Sequence, residues 1–377
     1  MQPTSIVTTK PSIFGHMASF AKKHNAINMT QGAPDFKTPD WLVDRLHHYA
    51  QKGFNQYSPI PGMPQLRKAC AEKTSLCYGV EIDAEKEVMI SCGAVEAIFS
   101  AVMAYVSPGD EVIYFDPAFD AYPNTVNAAR GVSKRLKLKD DGHVDIEALA
   151  NAITPKTKMI LLNSPHNPMG SVITLEEYQE IAKLIKDKDI LLLSDEVYEH
   201  IYAGDDFISA LQIPELRQQL IVVQSLGKTY NLTGWRMGVC IAPADILPNL
   251  LGIKQFTTFS APTPMQLALA DGINNYPEYW QDLPKLYQAQ YQTLTKALQN
   301  SRFKIAKWEG SPFLLLDYSH ISNEDDQTFA EKLVTEYNVG LVPISSLYET
   351  PEHKYLRLCF AKHDEDLIAG AKQLCKV

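Results

Sequence analysis

The sequence predicts an α/β protein with a mostly parallel central sheet, covered by helices on both faces and joined to a smaller α+β domain. Three observations carry that expectation. From about Val88 to Pro243, the short apolar runs "VMI", "EVIYF", "KMILLN", "DILLLSDE", "LIVVQS" and "GVCIAP" recur as strand candidates. Runs this short and this uniformly apolar suit parallel strands buried on both sides. Between them, "AVEAIFSAVMAYV", "DIEALANAI" and "TLEEYQEIAKLIKDK" carry apolar residues at helical spacing. After the long helical stretch "NNYPEYWQDLPKLYQAQYQTLTKALQNS" the character changes, and "PFLLLDYS", "VGLVPISSLY" and "YLRLCFAK" read as strands of a second, smaller unit. The expected division is an N-terminal arm with part of the small domain at 1–35, a large domain at 36–284 and a small C-terminal domain at 285–377. The segments "YAGDDFISALQIPEL" and "SHISNEDDQ" read as surface loops.

Composition narrows the partners. The 377 residues carry a formal net charge of -9, with 45% hydrophobic and 21% charged residues, an ordinary balance for a globular enzyme. No basic footprint is offered to nucleic acid or to an anionic membrane. Cys70, Cys77, Cys92, Cys240, Cys359 and Cys375 form no C-x-x-C pair, so reduced core thiols are expected rather than disulfides or a metal site. No apolar run approaches the length of a membrane span, and "MQPTSIVTTKPSIFGHMASF" lacks a secretory pattern. A cytoplasmic location is the expectation.

In an open parallel sheet, ligands bind beyond the carboxyl ends of the strands, so the residues after each apolar run are the ones to inspect. After "VMIS", Gly93 and Ala94 open a helix whose free N–H groups suit a phosphate. "DPAFDAY" brings Phe119, "SPHNPMG" brings Asn167 inside a turn, and "DEVYEH" brings the acid Asp195 and the phenol Tyr198. "SLGKTYNLTGWRMG" brings Ser225, Lys228 and Arg236. Its Gly-Lys-Thr imitates the end of a Walker A loop, but Val222 stands where that loop needs a glycine. Each residue alone has a plainer use: Asp195 as a helix N-cap, Asn167 as a turn former, Phe119 as a core aromatic, Tyr198 on a helix with its hydroxyl in water, and Lys228 and Arg236 as surface cations. Jointly they supply an amine, an acid, hydrogen-bonding groups, an aromatic face and a phosphate clamp along one sheet edge. Pyridoxal 5'-phosphate uses all of them: a lysine for its aldehyde, an acid for its ring nitrogen, and a helix N-terminus, a hydroxyl and an arginine for its phosphate.

With those residues in view, the chain resembles fold-type I pyridoxal-phosphate enzymes of the class I/II aminotransferase family along nearly its whole length. The pattern S-x-x-K-x-x-x-x-x-G-x-R-x-G stands as Ser225, Lys228, Gly234, Arg236 and Gly238. "QGAPDF", "YSPIPGMPQLR", "HNPMG", "SDEVYEH" and "YLRLCFAK" match further family motifs. Within the family it is most similar to bacterial methionine aminotransferases that also accept aromatic amino acids, related to kynurenine and glutamine transaminases. One departure is "GSPF", where Pro312 replaces an aromatic residue common in relatives. The resemblance implies that Lys228 forms the Schiff base with the cofactor and moves the proton. It implies further that Asp195 pairs with the ring nitrogen, Asn167 and Tyr198 with the phenolic oxygen, and that Phe119 stacks on the ring. The N–H groups of Gly93, Ala94 and Val95, with Ser225 and Arg236, would hold the phosphate. Arg357, helped by Asn167 and Gly32, would take the substrate carboxylate, and Phe14, with Ile13 and Phe259, would wall the side-chain pocket. Tyr57 would reach the phosphate of a neighbouring subunit, so a homodimer is expected. The family's distal-carboxylate arginine has no counterpart, because no arginine stands between Arg236 and Arg302 and only Lys254 occurs in "IKQFTTFSAPTPMQ". The expected reaction is ping-pong transamination between a large neutral amino acid and a 2-oxo acid. The rivals are a carbon-sulfur β-lyase on the same cofactor and, remotely, a cofactor-binding regulator, which would need a basic DNA-binding head before "QGAPDF".

Overall fold

A computed structural model describes residues 12–351 and 354–377; the first residues of the expected arm lie outside the described ones. Helix α1 (Ile13–Lys23) leads to the short strand β1 (Ile27–Asn28), then to α2 (Asp40–Gln51) and α3 (Pro64–Tyr78). The alternating region comes next as β2 (Val88–Ser91), α4 (Ala94–Tyr105), β3 (Glu111–Asp116), α5 (Ala121–Ala128), β4 (Val132–Lys137), α6 (Ile146–Ala152), β5 (Thr157–Asn163), α7 (Leu175–Ile185), β6 (Leu191–Asp195), β7 (Leu220–Ser225), the one-turn α8 (Leu226–Thr229) and β8 (Gly238–Ile241). Helices α9 (Leu247–Thr257), α10 (Thr263–Asn275), α11 (Pro277–Gln281) and α12 (Leu283–Ala297) lead to β9 (Lys304–Ile305), β10 (Phe313–Asp317), α13 (Asp326–Tyr337), β11 (Val339–Gly340), β12 (Val342–Pro343), β13 (Tyr355–Cys359) and α14 (Asp364–Leu374).

Strands β2 to β8 form one seven-stranded sheet in the order β2-β8-β7-β6-β5-β3-β4. Side chains alternate across it. Met89, Tyr114, Leu161, Leu193 and Val223 join one apolar core with α4 and α9, whereas Ile90, Phe115, Leu162, Leu192 and Val222 join the other with α3, α7 and α10. Both faces are thus dry, which is why these strands read as unbroken apolar runs. From β4 through β7 the pairing is parallel, but β8 runs antiparallel to both β7 and β2. The segment between β7 and β8 holds one helical turn rather than a crossover helix, so the chain returns alongside β7 in the opposite sense. Smaller sheets complete the fold: β12-β13-β10-β9, all antiparallel, and β1 paired in parallel with β11.

Two expectations change. "YAGDDFISALQIPEL" is a surface loop only in its first part; Phe207, Ala210, Leu211, Ile213 and Leu216 are buried. These apolar side chains join the core, and the buried Glu196 anchors the segment, accepting from Ser209 Oγ at 2.6 Å and Ala210 N at 2.9 Å. The strand β4, "VSKRLK", has no counterpart among the expected strands, because an edge strand carries the charges that edges favour and breaks the apolar pattern. All six cysteines are free thiols. Among the described residues no helix is long and apolar enough to cross a membrane, and no group of side chains is arranged to hold a metal ion.

Helices α2 and α10 meet where Gly272 faces Trp41, and a Cβ at Gly272 would lie 2.6 Å from the indole. Gly272→Val should therefore lower stability by about 1–3 kcal/mol through overpacking, despite the better helix propensity of valine. Urea unfolding checks this, and an unchanged midpoint would mean that the two helices part freely.

Candidate active site

The carboxyl ends of the parallel strands open into a cavity of about 470 Å³. It brings together Gly32, Ala94, Val95, Phe119, Asn167 and Asp195, and with them Tyr198, Ser225, Lys228, Arg236, Arg357 and Phe14. Gly93 caps α4 beside it with φ +87, and no side chain caps that helix. The first N–H groups of α4 therefore face the cavity mouth as free donors. Arg236, itself in the left-handed region at φ 55, lies so close that a Cβ on Gly93 would collide with its Nη2. Only glycine lets the guanidinium rest on the helix entrance, and the pairing makes an anion cradle.

Lys228 sits on α8 rather than on an open loop. Its Nζ donates to Gly32 O at 2.6 Å and lies 5.5 Å from the centre of the Tyr198 ring. Burial lowers its pKa to about 8, with Cys359 and Asp195 opposing that shift and Arg357 and Arg236 adding to it. The amine is thus far nearer to its neutral form at physiological pH than a solvated lysine.

Asp195 is the last residue of β6, and a turn rather than a helix comes after it, so it does not serve as an N-cap. Burial raises its pKa to about 6 against hydrogen bonds from Tyr122 and Val197 and the charge of Lys228. The Tyr122 hydroxyl donates to its Oδ2 at 2.7 Å.

Arg357, at 2% exposure, donates from Nη1 to Asn167 Oδ1 at 2.9 Å and from Nη2 to Thr30 O at 2.8 Å. Its guanidinium is held between the rings of Phe14 and Phe313, at 4.3 Å and 4.0 Å from their centres. Its buried Nε has no partner, and burial lowers its pKa to about 10. A deeply set cation with spare donor capacity is a receptor for a carboxylate.

Tyr57 stands apart from this cavity. It is 82% exposed and meets Phe259 edge-on, the ring centres 5.1 Å apart. Ile13 and Phe259 do not line the cavity either. Sequence reasoning missed Tyr122 and Asn163. Asn163 donates to Asp195 O at 2.9 Å and accepts from Asn167 N at 2.8 Å, joining the two strand ends. Both missed residues adjoin motifs already singled out, Tyr122 three positions after Phe119 and Asn163 as the last residue of β5.

A lowered lysine amine, a buried acid and an anion cradle at the ends of one parallel sheet define a pyridoxal-phosphate site of the fold-type I kind. The chain belongs to the aminotransferase class I and II family, whose pattern matches residues 24–373. It is similar to the methionine aminotransferase of Escherichia coli, 41% identical over 96% of this chain and 95% of that one. It is also similar to the kynurenine–oxoglutarate transaminase of Dictyostelium discoideum, 33% identical over 97% and 94%. An Escherichia coli structure reported with a methionine aminotransferase function superposes with a TM-score of 0.97 at 40% identity, covering 100% of both chains. The residues present fit the family's cofactor: the Gly93–Arg236 cradle suits its phosphate, Asp195 its ring nitrogen and Lys228 its aldehyde.

The Tyr122 bond generates a pH prediction. That bond lowers the pKa of Asp195, so Tyr122→Phe should raise it, by on the order of one unit for the loss of one hydrogen bond to a charge. Since the ionised acid is the useful partner of the ring nitrogen, the acid limb of kcat/KM against pH should move to higher pH. A limb that stays in place would remove Tyr122 from this role.

Proposed function

We propose that this aminotransferase takes large neutral amino acids, methionine and the aromatic ones foremost and glutamine, histidine and kynurenine among the others, with a 2-oxo acid as acceptor. The observation that carries the reading is the commitment of every cation lining the cavity. Lys228 is held on Gly32 O, Arg236 lies against Gly93, and Arg357 is fixed by Asn167 and Thr30 as a receptor for one carboxylate. Lys254, the other cation the sequence offers for a side-chain carboxylate, is fully buried with Glu96 at 3.3 Å. A distal carboxylate would enter without a partner, at a cost of several kcal/mol. The likeness to the methionine aminotransferase points the same way.

The residues divide the work. Gly93, Ala94 and Val95, with Ser225 and Arg236, would hold the cofactor phosphate, Asp195 its ring nitrogen and Asn167 and Tyr198 its phenolic oxygen, with Phe119 as the aromatic partner of its ring. Bound there, pyridoxal phosphate supplies an electron sink for the substrate's α-carbon. Arg357, with Asn167 and Gly32, fixes the α-carboxylate and so aims the Cα–H bond. Lys228 carries the proton at that carbon, and its lowered pKa gives both protonation states at working pH. Phe14, covering Arg357, excludes water from the carboxylate. Two half-reactions share the site, one releasing a keto acid and one consuming another. The domain limits at 35 and 285 belong to the same proposal, supported by the pairing of β1 with β11 and the separate sheet of β9, β10, β12 and β13. A cytoplasmic location is supported by the six free thiols.

A donor panel assayed with one keto acid tests the substrate reading. Methionine, phenylalanine and tyrosine should react with overlapping efficiencies, since an apolar wall separates similar side chains by only about 1–3 kcal/mol. Aspartate turned over faster than methionine and phenylalanine would overturn it.

The exposed Tyr57 and Phe259, with Phe256 at 85% exposure, supply aromatic surface suited to a second copy, and we read the protein as a homodimer with an isologous interface. Analytical ultracentrifugation at assay concentration should show a dimer. A fully active monomer would refute the shared site.

A further inference from the structure

On the α3 side of the sheet lies a buried ion pair that none of these roles uses. Lys73 Nζ donates to Glu199 Oε1 at 2.7 Å, and the two side chains are 2% and 3% exposed. The Tyr78 hydroxyl donates to Glu199 Oε2 at 2.5 Å, and Gln224 Nε2 donates to the same oxygen at 2.7 Å. Although burial pushes the Glu199 carboxyl up, Lys73, His200 and the Tyr78 hydrogen bond together more than offset this and hold it below its usual range. None of the four residues lines the cavity. As a source of stability such a pair is poor, because apolar replacements of similar volume are often neutral or stabilising. What it delivers is position.

Glu199 comes directly after Tyr198, and Gln224 directly precedes Ser225. The bond between Gln224 and Glu199 therefore joins the turn that carries Tyr198 to the strand that leads into α8 and Lys228. Helix α3 is the frame behind both. It supplies Lys73 and Tyr78 to Glu199, and its Arg67 donates from Nε to Val88 O at 2.9 Å, at the start of the strand that leads to Gly93. In front of the brace, Lys228 Nζ and the Tyr198 ring stand 5.5 Å apart.

The geometry points to Glu199, held by Lys73 and Tyr78 and bonded to Gln224, as a positioning residue that sets the Tyr198 ring relative to the Lys228 amine and so tunes how Lys228 exchanges its proton. Without the Gln224 bond, Tyr198 and β7 are joined only further back, where Glu196 N donates to Val223 O at 2.8 Å, and proton transfer is sensitive to displacements well under an ångström. This inference rests on the roles given above to Tyr198 and Lys228.

The test uses the holoenzyme and Gln224→Met, which keeps the length of the side chain, removes its donor and leaves Lys73 and Tyr78 on Glu199. The kcat for methionine should fall roughly tenfold while KM stays within about twofold, the signature of a misplaced proton carrier rather than of lost binding. The pH midpoint of the bound cofactor's visible absorbance should also move, by about half a unit or more. A fall in thermal midpoint alone, with kcat and the absorbance midpoint at wild-type values, would reduce the cluster to core packing and end the proposal. Should Gln224→Met not yield folded protein, Tyr78→Phe removes the other donor to the same carboxylate oxygen and is read by the same two outcomes. The absorbance midpoint is recorded without substrate. A wild-type enzyme inactive on methionine would thus refute the donor reading and still leave the brace to be judged.

Discussion

The guanidinium of Arg357, withdrawn from water between two phenyl faces, joins the parts of the chain that must meet for a site to exist. It rises from β13, bonds Thr30 just after β1, bonds Asn167 in the turn after β5, and carries Phe14 of α1 on one face and Phe313 of β10 on the other. Burying a charge of this kind costs several kcal/mol unless hydrogen bonds and a favourable field replace its hydration. Two charge-assisted hydrogen bonds and two cation–π contacts do so here, each worth on the order of 1–3 kcal/mol in a dry setting. The compensation is incomplete, since Nε has no partner. An anion entering the cavity would find this donor capacity unused.

The same burial that lowers the pKa of Arg357 lowers that of Lys228. The lysine lies in a cavity whose other cations, Arg357 and Arg236, oppose its protonation, with Asp195 and Cys359 pulling the other way. The contact with Gly32 O keeps the amine at a fixed point rather than free to swing. The guanidinium and the amine thus answer to one electrostatic arrangement.

Legibility in the sequence tracks the topology. A parallel sheet delivers the end of each strand to one edge, so Asn167, Asp195, Ser225 and Lys228 come to light once the residues just past each apolar run are inspected. Arg357 and Phe14 are different. They come from distant parts of the chain, and resemblance to a family rather than spacing points to them. Tyr122 and Asn163 escape because their function lies in bonds to Asp195 across neighbouring elements, which no local pattern records. The partly buried segment after Tyr202 escapes for a related reason. Its "GDDF" opening is polar, while the remainder packs into the core and is anchored on Glu196, a buried acid that the local pattern does not announce.

The commitments of the cations also bear on why a neutral side chain suits this site. Placing a further cation near the cavity to receive an acidic side chain would add a like charge beside Lys228, and like charges lower a lysine pKa. At about 8 the amine already lies close to working pH. A further drop would shift the amine toward its neutral form, unless a new anion restored the balance. An apolar pocket avoids that coupling, because methionine or an aromatic side chain contributes area and no charge. The absence of arginine between Arg236 and Arg302 and the burial of Lys254 against Glu96 therefore keep the electrostatics of the proton carrier independent of which neutral donor is bound.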